Sequence, residues 1–112
     1  MSEVLTRRAL LLAISMGAAL APLRVNAAGG TAEIKIDNFV FNPETLTVAK
    51  GTTITWINHD DIPHSVVEKK GLFHSKALDT NDKFSFSFAA PGEYEYFCGL
   101  HPHMVGKIVV KP

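Results

Sequence analysis

The sequence of 112 residues lacks several features that would assign it to common classes of protein. It has a single cysteine, Cys98, which excludes an internal disulfide and with it the small disulfide-stapled domains. It has no excess of either charge, with 11 basic and 11 acidic side chains, and this balance argues against a nucleic-acid-binding protein. Its acidic residues are scattered, so that no carboxylate pair indicates acid–base catalysis.

The sequence also lacks an apolar run long enough to span a membrane. Its one substantial run, Ala9 to Ala21, has about 13 residues, whereas a membrane-spanning helix needs roughly 20. Two arginines precede this run, a proline ends it, and small residues follow up to Ala27. This order is typical of an export signal. We therefore predict a cleaved signal peptide over residues 1–27 and one mature domain over residues 28–112.

The export route has two alternatives. The segment from Thr6 to Leu11 resembles a twin-arginine motif, which would imply export of a folded protein, and the general secretory route is the alternative. An uncleaved membrane anchor is disfavoured by the short run and the cleavage site. Residues 1–27 contain three arginines and one glutamate, so residues 28–112 carry 8 lysines and 10 acidic residues, a net charge of −2. The mature domain is thus expected to be mildly acidic and to contain no membrane span.

The hydrophobic pattern of the mature domain has a period of two residues, which is typical of strands with one face on a core. Turn-forming residues separate the alternating segments roughly every ten residues. The alternating segments are 34–36, 46–48, 54–56, 84–88, 94–96 and 107–110. This spacing predicts a single all-β domain, an antiparallel sandwich or barrel. Residues 69–78 have the least pattern, and we expect a long connection there.

A loop between the last two predicted strands carries the most informative side chains. Cys98, His101 and Met104 lie on it at the spacing C-x2-H-x2-M. A thiolate, an imidazole and a thioether form a soft ligand set that suits copper. Two histidines, one cysteine and a weak axial methionine is the arrangement of electron-transfer copper sites. The loop therefore predicts a metal site that needs one more histidine.

The second histidine must come from elsewhere in the chain. His64 is the best candidate, because Pro63 before it restricts the backbone and would hold the ligand rigidly. Zinc is the rival metal, but a thioether is a poor zinc ligand and structural zinc sites usually supply more thiolates. The other three histidines are expected to face solvent: His59, His74 and His103.

On these residues the chain resembles the cupredoxins and, within that family, the amicyanins. The similarity is carried by the short C-x2-H-x2-M loop, by Pro63-His64, and by segments 36–43, 51–58, 91–94 and the C-terminal strand. It implies a Greek-key β-sandwich with one copper ion at a type 1 site. The ligands implied are His64, Cys98, His101 and Met104. It also implies a periplasmic blue-copper protein that shuttles one electron between redox partners and is not an enzyme.

The resemblance extends to partners and surfaces. It implies a redox protein as electron donor and another as acceptor, for example a dehydrogenase and a c-type cytochrome. His101 would be the ligand nearest the surface, so we expect docking near Leu100, His101 and Pro102. A monomer that binds no nucleic acid is expected. A periplasmic copper chaperone or storage module is the alternative function, and it would favour exposed, exchangeable ligands. A copper enzyme would need an open coordination position.

Two positions depart from the family pattern. Ser65 stands where many members have an asparagine whose side chain ties the two ligand loops together, so only its backbone N–H is left to make such a tie. Leu100 stands where some amicyanins have proline, and its N–H is expected to donate to the Cys98 sulfur. Such a bond would favour Cu(I), and the reduction potential should then exceed that of a Leu100→Pro variant.

Overall fold

The computed structural model describes residues 29–112, and the predicted signal peptide lies outside them. Eight strands account for the regular structure of this part of the chain. They are β1 (Thr31–Asp37), β2 (Val40–Asn42), β3 (Thr45–Ala49), β4 (Thr52–Asn58), β5 (Val67–Glu68), β6 (Lys83–Phe88), β7 (Gly92–Phe97) and β8 (Val105–Lys111). Across residues 29–112, no helix is long and apolar enough to cross a membrane.

The strands form two four-stranded sheets that pack as a sandwich, which confirms the predicted all-β fold. One sheet has the order β2-β1-β4-β6 and the other β3-β8-β7-β5. Both sheets are mixed, because β1 pairs with β4 and β3 pairs with β8 in parallel. The expectation of an antiparallel arrangement was therefore wrong for these two strand pairs. Alternation in a sequence reports which face of a strand is buried, and it carries no information about the direction of the neighbouring strand.

The core between the sheets is built from the alternating side chains. Burial along β4 alternates residue by residue, and Ile54 and Trp56 are fully buried. The Trp56 ring centroid lies 5.4 Å from that of Tyr96 on the opposite sheet and 5.7 Å from that of Phe84 on the adjacent strand. Aromatic packing of this kind contributes beyond the area that it buries. Trp56 thus joins the two sheets beneath the end of the sandwich that carries the predicted ligands.

Strand register brings the two predicted ligand segments to one end of the sandwich. Val67 of β5 pairs with Phe97 of β7, and Phe97 pairs in turn with Val105 of β8. Because these pairs are antiparallel, the residues before Val67 and those after Phe97 leave the sheet at the same end of the strands. Residues 59–66 and residues 98–104 therefore lie side by side.

The unpatterned stretch from 69 to 78 is an irregular connection, as expected, but it is anchored at two points. His74 forms an isolated bridge with Val67, and Leu78 forms one with His64. The second bridge has two backbone hydrogen bonds, from His64 N to Leu78 O at 3.1 Å and from Leu78 N to His64 O at 2.6 Å. This connection therefore fixes the backbone of the predicted ligand His64.

Candidate metal centre

His64, Cys98 and His101 meet at one point of the structure. One nitrogen of each imidazole and the Cys98 sulfur all lie within 4.8 Å of one another. The sulfur is 3.7 Å from Nδ1 of His64 and 3.6 Å from Nδ1 of His101. His64, more than 30 positions away in the sequence, thus presents a donor atom to the same small volume as Cys98 and His101, as the sequence predicted.

These separations suit a metal ion held between the three atoms. With metal–sulfur and metal–nitrogen bonds of about 2.3 and 2.0 Å, a trigonal arrangement separates sulfur from nitrogen by roughly 3.7 Å. The observed 3.7 and 3.6 Å match that value. The donor set is soft, with one thiolate and two imidazoles, and it suits copper better than the hard cations.

His64 is held on the side opposite the sulfur by a carboxylate. Its Nε2 lies 2.7 Å from Oδ2 of Asp60. With Asp60 ionised, Nε2–H donates to the carboxylate, which leaves Nδ1 free of a proton and facing Cys98. Both the ring and the backbone of His64 are thus fixed, and the residue is fully buried.

Asn58 organises the loop between β4 and His64. Its Nδ2 donates to the carbonyl of Ile62 at 2.9 Å and to that of Leu78 at 2.8 Å. Its Oδ1 accepts from the Asp60 N–H at 2.8 Å. The side chain of Asn58 is fully buried and its bond to Leu78 is shielded from water, while the other two bonds are partly buried. Together the three bonds hold Asp60 and the approach to His64 in place.

The loop from Cys98 to Met104 closes on itself through its backbone. Cys98 N donates to Met104 O at 3.0 Å, His101 N donates to Cys98 O at 3.2 Å, and Met104 N donates to His101 O at 2.9 Å. Each predicted ligand on the loop is therefore hydrogen-bonded to another. Cys98 and Met104 are buried, and His101 is partly exposed. His101 is thus nearer the surface than the other three, as expected.

The side chain of Ser65 joins the two ligand loops, which was not expected for a serine at this position. Its Oγ accepts a hydrogen bond of 2.9 Å from Gly99 N, and its own backbone N–H donates to the Cys98 sulfur at 3.3 Å. A Cβ on Gly99 would stand 2.8 Å from this Oγ, so the close approach requires glycine there. Among the described residues, the N–H group that donates to the Cys98 sulfur is that of Ser65. The hydrogen bond expected from the Leu100 N–H to this sulfur is not formed.

The remaining histidines lie away from the cluster of three donors. His59, His74 and His103 are exposed, which agrees with their predicted solvent-facing positions. Asp60 and Asn58 were not predicted to act at this site. The sequence indicates these two residues only by an asparagine at the end of a buried strand and a carboxylate two positions later.

Comparison with known proteins places this fold and site in a family. The family model described as a cupredoxin-like domain matches residues 8–110. The chain therefore belongs to the cupredoxin-like family, which confirms the predicted resemblance. Together with the clustered His64, Cys98 and His101 and with Met104 nearby in the same loop, this membership confirms the prediction of a single copper ion as cofactor at a type 1 site.

Within that family the chain is amicyanin-like. It is 36% identical over 112 aligned residues to amicyanin-alpha from Methylorubrum extorquens, and the alignment covers 92% of this chain and 94% of that protein. A solved amicyanin variant matches with a TM-score of 0.69 and 30% identity over 76% of this chain and 86% of that one. A purple cupredoxin from Nitrosopumilus maritimus matches with a TM-score of 0.67 and 35% identity over 71% and 99%.

Proposed function

We propose that the protein is an exported blue-copper carrier that transfers one electron between redox proteins. Nδ1 of His64, Sγ of Cys98 and Nδ1 of His101 would hold the copper ion, and the thioether of Met104 would be a weaker fourth donor. The observation that carries the proposal is the placement of the buried Cys98 sulfur at 3.7 and 3.6 Å from the two imidazole nitrogens. Copper supplies the redox couple, and the chain supplies the frame around it.

The frame suits electron transfer because the donor atoms are already in position. Cu(I) and Cu(II) prefer different geometries, so ligands that cannot rearrange keep the cost of changing oxidation state low. His64 is fixed by the Leu78 bridge and by Asp60, and the Cys98 sulfur accepts the Ser65 N–H. A hydrogen bond to the sulfur stabilises negative charge on it and so tunes the potential.

The burial of the proposed ligands argues against the alternative functions. A copper chaperone or storage module must hand its ion over, which favours exposed and exchangeable ligands, whereas His64 and Cys98 are fully buried and Met104 is 3% exposed. A catalytic copper needs an open coordination position, and four protein ligands leave none. The proposed ligand set therefore favours a carrier over a chaperone or an enzyme.

The partly exposed edge of His101 is the proposed route for the electron. Leu100 beside it is 50% exposed, and Pro102 on its other side is exposed as well. An apolar rim around a ligand suits brief complexes with redox proteins, such as a dehydrogenase as donor and a c-type cytochrome as acceptor. A monomer in the periplasm, delivered there by the signal peptide over residues 1–27, completes the proposal.

Titration with Cu(II) tests this function. The copper-free protein should take up one equivalent of Cu(II) and develop the intense blue charge-transfer band of a copper–thiolate bond. A Cys98→Ser variant should bind copper weakly and remain colourless, and a His103→Ala variant, which alters an exposed histidine of the same loop, should stay blue. A colourless wild-type complex would contradict the proposal. N-terminal sequencing of the exported protein tests cleavage after Ala27.

A further inference from the structure

The two-residue turn between β1 and β2 places a bulky side chain in a left-handed backbone conformation. Asn38 and Phe39 both have positive φ angles, of 53° and 63°. Asparagine tolerates this left-handed conformation, but for a bulky residue such as phenylalanine it is a genuine outlier. Strained residues persist only where the surroundings compensate for them, and they concentrate at functional sites.

The compensation comes from Asp60. Its Oδ1 accepts the Asn38 N–H at 2.7 Å, and its Oδ2 accepts the Phe39 N–H at 3.1 Å. The same carboxylate lies against His64, so that one side chain fixes both the strained turn and a proposed metal ligand. Charge-assisted hydrogen bonds of this kind are stronger than neutral ones, and two of them together define the direction of the turn.

The turn places the Phe39 ring against both imidazoles. Its centroid lies 5.6 Å from that of His64 and 5.2 Å from that of His101, at interplanar angles of 87° and 86°. These are edge-to-face contacts, in a range where aromatic pairs attract each other. The ring is 44% exposed, so burial in the core does not explain its position.

The two histidines differ in how else they are restrained. His64 has its outer nitrogen hydrogen-bonded to Asp60, whereas across residues 29–112 the outer nitrogen of His101 has no hydrogen-bond partner. Metal-bound histidines usually depend on such a second bond for their orientation. The His101 ring is instead packed against the His64 ring, at 5.0 Å between centroids, and against Phe39 on the neighbouring turn.

We propose that Phe39 is a positioning residue for His101: the Asp60-bound turn holds its ring against the imidazole and keeps Nδ1 aimed at Cys98 before any metal arrives. The proposal rests on the function proposed above for the role of His101 as a ligand. The restraint itself belongs to the protein without metal and can be measured there.

Phe39→Leu and Phe39→Met remove the ring and keep an apolar side chain. Two variants are used so that the test still stands if one of them folds poorly. Phe39→Tyr keeps the ring, and Val40→Ala changes the next exposed apolar residue as a matched control. Nuclear magnetic resonance relaxation gives the order of the His101 ring in the copper-free protein. Transfer of Cu(I) to a chelator gives the rate of copper release.

We expect Phe39→Leu and Phe39→Met to lower the order of the His101 ring and to speed copper release about tenfold, the lower end of the range for lost outer-shell partners. Phe39→Tyr and Val40→Ala should behave as wild type. Unchanged ring order in both ring-deleting variants would overturn the proposal, even if copper release became faster. A protein that failed to form a blue copper site would contradict the proposed function, and the copper-free ring measurement would still decide the role of Phe39.

Discussion

Oδ2 of Asp60 lies 2.7 Å from Nε2 of His64, on the side of the ring that faces away from Cys98. Burial acts to raise the pKa of the Asp60 carboxyl, but hydrogen bonds from the Phe39 and Asn38 N–H groups and the contact with His64 outweigh it and hold the pKa below 3.8. Asp60 is therefore ionised near neutral pH, and it makes His64 a stronger electron donor towards a metal at Nδ1.

Asp60→Asn removes this negative charge. We expect copper affinity to fall by about 10- to 100-fold, as for other lost outer-shell partners of a metal-binding histidine. The reduction potential should rise, because the weaker imidazole donor stabilises Cu(II) less. Voltammetry and a competitive copper titration measure both quantities. Asp61→Asn, at the adjacent exposed residue, is the control, and an equal effect of both substitutions would contradict this role of Asp60.

Ser65→Ala removes the hydroxyl that accepts the Gly99 N–H and keeps the backbone N–H on the Cys98 sulfur. We expect the free energy of unfolding of the copper-free protein to fall by about 1 kcal/mol, the usual net value of one such bond. The blue band should keep its position, because the bond to sulfur is retained. Urea unfolding and the visible spectrum check the two parts. Ser85→Ala, which loses an exposed hydrogen bond to Thr55, should cost less.

Asn58→Ala removes two buried donors, to the carbonyls of Ile62 and Leu78. The Ile62 carbonyl and the Asp60 N–H lose their partner, whereas the Leu78 carbonyl keeps the His64 N–H. We expect a loss of about 2 kcal/mol in the free energy of unfolding. The His64 loop should also loosen, so the copper-free variant should show faster amide exchange at His64. Thr47→Ala, at an exposed position of β3, serves as the control. A variant as stable as wild type would show that Asn58 does not organise the loop.

Tyr96 should make the protein sensitive to alkali. Burial, the largest effect, raises the pKa of its phenol well above the ordinary 10.0. The folded protein thus resists an ionisation that the unfolded chain permits, so this contribution to stability is complete below pH 10.0 and is lost as the pH rises above it. Tyr96→Phe should lose less stability than wild type between neutral pH and pH above 10.0 in urea unfolding. Parallel pH profiles for the two proteins would refute this.

Leu100→Asp tests the proposed docking surface. A charge in the apolar rim beside His101 should slow electron exchange with a c-type cytochrome used as probe, while the visible spectrum stays unchanged. Leu72→Asp is the matched control, because Leu72 is 49% exposed, against 50% for Leu100, and lies in the connection after β5. Stopped-flow kinetics measure the exchange. Equal rates for the two variants would place docking elsewhere on the surface.

Much of the fold and of the site can be predicted from local patterns in the sequence. The alternation around Ile54 and Trp56 predicts a buried strand, and both residues are fully buried. The spacing of Cys98, His101 and Met104 predicts a single loop because a short segment between two strands leaves few other arrangements. These features depend on residues near one another in the chain, where the backbone period alone decides which side chains share a face.

The features that sequence patterns miss depend on contacts between distant segments. The parallel pairing of β1 with β4 leaves no trace in the alternation of either strand. The role of Ser65 depends on how closely Gly99 approaches, and the role of Asp60 depends on a turn more than 20 residues earlier. A small polar residue looks the same in a sequence whether it faces water or fixes a ligand.

Electron transfer by the bound copper can be tested by a reductive titration of the copper-loaded protein. One electron per copper should bleach the blue band completely, and reoxidation should restore it over repeated cycles with no loss of metal. That result requires a site that retains copper in both oxidation states. Release of the ion on reduction, or sustained turnover of oxygen or nitrite by the loaded protein, would contradict an electron carrier.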